Sequence, residues 1–207
     1  EIHWRDWSSD VCSSDLQSFV CLADAAPQPA LRALSLLVGL AYQRNDLVEV
    51  RRHLERAAPL LTRVGDDPAL RVTFDMYRAQ LAVSDGRTAE AGPLLAALHA
   101  QLSADGGAKE YLALVVSLQC KLALAEGDPT RALAHATAAN QLLPPAAPPQ
   151  YRASLRFAHA RALRAVEDRS HAVRVAEEAI ADYESAGPGF AAKVDEIRQW
   201  IADPAAP

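Results

Sequence analysis

Five histidines outside the first sixteen residues are the side chains best suited to hold a metal or carry a proton: His53, His99, His135, His159 and His171. No two of them stand four residues apart, and neither HExxH nor CxxC occurs. Zinc chemistry needs ligands that converge from one helix face or one short loop. This spacing assigns no metal ligand. Cys120 falls on an apolar helical stripe, which reads as a small core residue rather than a nucleophile. No glycine-rich phosphate loop, GxSxG or kinase signature is present. Asp75, Asp128 and Asp168 are turn or surface acids without a second carboxylate at fixed spacing. No catalytic or cofactor-binding residue follows, and the expectation is a non-enzymatic chain without a cofactor.

The first sixteen residues need separate treatment. Asp6 to Leu16 reads DWSSDVCSSDL, which resembles a translated sequencing-adapter oligonucleotide, and Glu1 to Arg5 fits the same frame. The segment is expected to be an artefactual tail outside the fold. On that reading the chain is the C-terminal piece of a longer protein. The tail carries one of the 21 basic and four of the 26 acidic residues, so the formal charge of −5 becomes −2 without it. Near-neutral charge gives no electrostatic footprint for nucleic acid or an anionic membrane. The longest apolar stretches, Leu34–Tyr42 and Tyr111–Leu118, fall far short of the roughly 20 residues of a membrane span. Outside the tail only Cys21 and Cys120 remain, too few and too distant for a disulfide framework. They point to a reducing compartment, hence a cytoplasmic location. Lysine is scarce while arginine, alanine and proline abound, the codon bias of a GC-rich bacterial genome.

The elements follow from a repeat. Breaker pairs at Asn45-Asp46, Gly86-Arg87, Gly127-Asp128 and Glu167-Asp168 have second members 41, 41 and 40 residues apart. Strong helix formers fill the stretches between them. Pro29, Asp67-Pro68 and Pro149 open helices, whereas Gly106-Gly107 and Pro144-Pro145 close them. The spacing predicts four hairpins: 29–44 with 47–64, 68–84 with 88–103, 109–125 with 129–143, and 150–166 with 169–185. A ninth helix over 189–202 carries Phe190, Val194, Ile197 and Ile201 on one face, with Trp200 as anchor, and is expected to cap the last hairpin. The second helices repeat an i, i+4, i+7 stripe. It comprises Val50, Leu54 and Ala57; Ala91, Leu95 and Leu98; Ala132, Ala136 and Ala139; then Ala172, Ala176 and Ala179. The first helices answer with Val38 and Ala41, Ala79 and Ala82, Cys120 and Ala123, Ala160 and Leu163.

On these residues the chain resembles the tetratricopeptide repeat (TPR) family, best in the third hairpin with Gly127-Asp128, Ala132, Ala136, Ala139 and Pro144. The period is longer than the family's ~34 residues, and most signature aromatics are absent. The resemblance implies an all-α fold, a right-handed α-α superhelix (solenoid) of about four helical hairpins with a C-terminal capping helix. The implied organisation is 1–16 tail, 17–28 remnant of a preceding repeat, 29–186 four TPR-like hairpins, and 187–207 capping helix and tail. The closing segment, Ser185 to Pro188 and then Val194 to Ala202, resembles the end of such arrays in large bacterial signalling proteins. That gives a second expectation: a regulatory arm of a serine/threonine kinase or ATPase-type transcription regulator whose catalytic domain lies upstream.

The first expectation is a protein-protein interaction scaffold whose first helices line a partner groove. Residues about one-third of a turn from the packing stripe are placed on it. These are Arg32, Ser35 and Tyr42; Thr73, Met76 and Gln80; Ser117, Lys121 and Leu124; and Phe157, Arg161 and Arg164. All its charges are positive, at Arg32, Lys121, Arg161 and Arg164. That sign favours an acidic peptide or a terminal carboxylate as partner.

Overall fold

The computed structural model describes residues 20, 23, 25–64, 67–104 and 109–203. Every regular element among them is helical. Helices α1 (Pro27–Gln43), α2 (Leu47–Arg63), α3 (Pro68–Ser84) and α4 (Thr88–Ala104) come first. Then follow α5 (Lys109–Ala125), α6 (Pro129–Leu142), α7 (Pro149–Ala165) and α8 (Arg169–Ala186). A 3-10 turn (Pro188–Phe190) leads into α9 (Ala191–Ala202). The expected hairpin helices are all present. Helix α1 opens at Pro27 rather than Pro29, because a proline at the first position loses no hydrogen bond and already has helical φ. The expected tail 1–16, Cys21, most of 17–24 and the Gly106-Gly107 break lie outside the described residues.

One turn design closes the first helix of every hairpin. Asn45, Gly86, Gly127 and Glu167 take the left-handed conformation, with φ of 59°, 72°, 76° and 67°. The next residue donates its N–H to the carbonyl five positions back. Asp46 reaches Ala41 at 2.9 Å, Arg87 reaches Ala82 at 2.8 Å, Asp128 reaches Ala123 at 2.9 Å and Asp168 reaches Leu163 at 3.0 Å. These bonds satisfy helix-end carbonyls that would otherwise be orphaned. The same aspartates start the second helices. Asp46, Asp128 and Asp168 accept the N–H of Glu49, Arg131 and His171. Arg87 has no acceptor side chain and instead holds Asp85 at 2.8 Å and Glu90.

Every residue of the predicted packing stripe is buried, in first and second helices alike. The chain divides into two compact units, residues 1–77 and 78–207, with the division inside α3. In the first, α1 packs on α2, and Phe74, Leu31 and Leu34 are its most deeply buried large side chains. Gly39 leaves room for Tyr77, whose hydroxyl would lie 3.2 Å from a Cβ at that position.

In the second unit each helix from α4 to α9 packs on the next, and α5 also packs on α7. Contact between equivalent helices of successive hairpins is what lets a helical-repeat array share one core. The shared core is mostly alanine, as in the cluster of Cys120, Ala123, Ala132, Ala136, Ala158 and Ala162. Small side chains let helix axes approach closely, so little apolar volume is needed to exclude water. At the far end Val194, Ile197 and Trp200 of α9 join Val175, Ala176 and Tyr183 in a second cluster. Helix α9 therefore caps the last hairpin.

Candidate functional site

The contact of α5 with α7 sets two cations in equivalent register. Lys121 and Arg161 are 40 residues apart and both half-buried. Lys121 follows Cys120 on α5, and Arg161 lies on α7, which packs against it. Cys120 itself is sealed in, with its thiol donating to the Ala158 carbonyl at 3.6 Å. Burial pushes its pKa up to about 11 although Lys121 and Arg161 pull the other way. A thiol so raised stays protonated at neutral pH and is no nucleophile.

The remaining groove residues separate into three groups. Arg32 is exposed on α1, whereas Tyr42, Gln80, Met76 and Leu124 are half-buried. Tyr42 lies against Tyr77, with ring centroids 6.0 Å apart. Ser35 and Thr73 turn their hydroxyls onto their own helix, donating to the carbonyls of Arg32 and Ala69. Ser117 corrects the expectation outright: it is 2% exposed and its hydroxyl finds no partner among the described residues. Helix α5 packs against α4, α6 and α7, and Ser117 is turned into that packing rather than onto an open face.

Phe157 and Arg164 are a second correction. Both face α9 instead of an open groove. The Phe157 ring meets Trp200 edge-on at 5.5 Å. The Arg164 guanidinium lies 3.2 Å from the centroid of the Trp200 ring, a cation–π arrangement. Its Nη1 also donates to the carbonyl oxygens of Trp200 and Asp203, each at 2.9 Å.

Three histidines respond to burial. Burial lowers the pKa of His53, partly opposed by Glu49, whose carboxylate is 3.3 Å from Nε2. Burial also lowers His135, aided by Arg131, and His159, aided by His171. The rings of His159 and His171 are 6.0 Å apart and edge-to-face. Among the described residues no group of three or more His, Cys, Asp or Glu is placed to hold a metal ion.

Sequence reasoning missed one polar cluster. Asp182 on α8 is only 8% exposed. It accepts from Arg152 Nε at 2.9 Å and from Arg156 Nη1, both on α7. Arg152 and Arg156 share a face by their i, i+4 spacing, the one signal that pointed to a common partner. Removing Asp182 would take away the carboxylate that both arginines share and leave Arg156 with Glu178 at 3.4 Å. This clamp fixes α7 against α8 and offers no open site. A shallow hollow of about 380 Å³ at the α8–α9 turn is lined by Glu184, Pro188, Val194 and Arg198 among others. Its charges are spent on each other, Arg198 holding Glu184 at 2.8 Å.

Among the described residues no helix is long and apolar enough to cross a membrane. Compared with protein-family models, with curated proteins and with solved structures, the chain gives no match. What stands is its class: an all-α helical-repeat array.

Proposed function

We propose that this chain is a TPR-like protein-protein interaction module, and that its first-helix face takes an acidic protein or peptide segment. The observation that carries the reading is the matched register of Lys121 and Arg161 on two helices that pack against each other. Helix axes in contact are about 8–10 Å apart. Carboxylates three residues apart on a polyproline-II segment lie on one side of it and are spaced by about 9 Å, so such a segment can reach both side chains. Half-burial strengthens each contact, because a partly desolvated charge is screened less by salt. The reading extends to a cytoplasmic protein, on the ground that Cys21 and Cys120 are too few and too distant for a disulfide framework.

The test is a fluorescence-anisotropy titration. Fluorescein-labelled octapeptides rich in Asp and Glu are compared with the same peptides carrying Asn and Gln. We expect only the acidic set to bind, with affinity falling as salt rises. The double variant Lys121→Glu/Arg161→Glu should lose about ten-fold or more in affinity, compared at a temperature where circular dichroism shows both chains folded. Equal binding by wild type and double variant, or no binding by either, overturns the reading.

A further inference from the structure

Helix α9 sits on residues that the first-helix face would otherwise offer to a partner. Trp200 is 7% exposed, wedged between Phe157 and Arg164 of α7. The carbonyls that Arg164 engages, those of Trp200 and Asp203, lie at the C-terminal end of α9. That end is the negative pole of the helix. One cation and one aromatic ring of α7 are thus already answered by the chain's own segment, with the acceptor chemistry proposed for a partner.

The way α9 is attached makes this contact separable. The chain enters through Gly187, at φ 111° and ψ 174°, a conformation open almost only to glycine. Beyond it α9 is 12 residues long, at or below the length at which an isolated helix persists in water. Its hold comes from Val194, Ile197 and Trp200 on the α7–α8 cluster and from the exposed Arg198–Glu184 ion pair. Release of such a terminal element is a local opening, distinct from unfolding of the hairpins beneath it.

We propose that α9 is a self-ligand: it occupies the outward face of α7 and must leave before a partner can reach Phe157 and Arg164. The regulatory consequence rests on the reading above, but the test requires no partner. Hydrogen exchange is followed on the intact chain, on Trp200→Ala and on the milder Arg164→Gln. A fluorescein-labelled synthetic peptide of residues 187–203 is then titrated against all three. In wild type, α9 amides should exchange about ten-fold or more faster than those of α7 and α8. Both variants should accelerate α9 further while α5 and α6 stay unchanged. The peptide should bind Trp200→Ala about ten-fold tighter than wild type, since a vacated seat removes the internal competitor. Exchange of α9 only in step with α7 and α8, or a peptide that binds neither variant, overturns the proposal. A chain that shows the local opening and peptide capture yet binds no acidic octapeptide loses the earlier reading and keeps this one.

Discussion

Glu167 is the residue most out of keeping with its place. It occupies the left-handed position that Asn45, Gly86 and Gly127 fill in the other turns, and a side chain there costs roughly 1–2 kcal/mol. Glu167→Gly should therefore stabilise the chain by about 0.5–1 kcal/mol, partly offset by the looser unfolded chain. Gly127→Ala should cost about 1 kcal/mol for the converse reason. Urea unfolding midpoints check both. The histidines make a second residue-scale prediction, His53 being buried and His135 and His159 half-buried. His53, His135 and His159 all have pKa values lowered by burial. The unfolded chain then binds protons more tightly than the folded one, so stability rises with pH. Their contribution is complete above the ordinary value of about 6.5 and is lost as pH falls below it. The urea midpoint should drop between pH 7 and pH 5, and replacing all three by glutamine should flatten that drop. A midpoint that rises on acidification would contradict the assignment.

At the scale of the helices, the stripe is the structural commitment. Ala136 is 1% exposed and belongs to the cluster that joins α5, α6 and α7. Ala136→Arg should cost several kcal/mol, on the order of 3–5, through overpacking and a buried charge. Thermal unfolding of the variant measures it, and a neutral result would mean the helix faces are wrongly assigned. These faces were legible in the sequence because the same i, i+4, i+7 pattern recurs behind the same breaker pair, so each hairpin confirms the next. The site was only partly legible. Lys121 and Arg161 share a register, which the period reveals. Ser117 was misplaced because it is turned into the packing of α5 against three other helices, which a single-helix projection does not show. Arg164 and Trp200 are brought together by the α9 return across 36 positions, and the Arg152–Asp182 clamp spans 30. No local periodicity carries such distances.

For the molecule as a whole, the proposed chemistry is surface recognition. The second unit concentrates the relevant features. Its stacked α5 and α7 carry the cation pair, and its last helix covers the end of the same face. An array of this kind couples binding to stability along the stack, since each hairpin is held by its neighbours. A partner bridging α5 and α7 would raise the unfolding temperature in proportion to its occupancy. The most direct measurement is backbone NMR of the intact chain during titration with an acidic octapeptide. Chemical-shift changes should concentrate on α5 and α7 around Lys121 and Arg161, with little change on the exposed faces of α6 and α8. Shifts that map to α6 and α8, and leave α5 and α7 unmoved at saturating peptide, would contradict the proposed function.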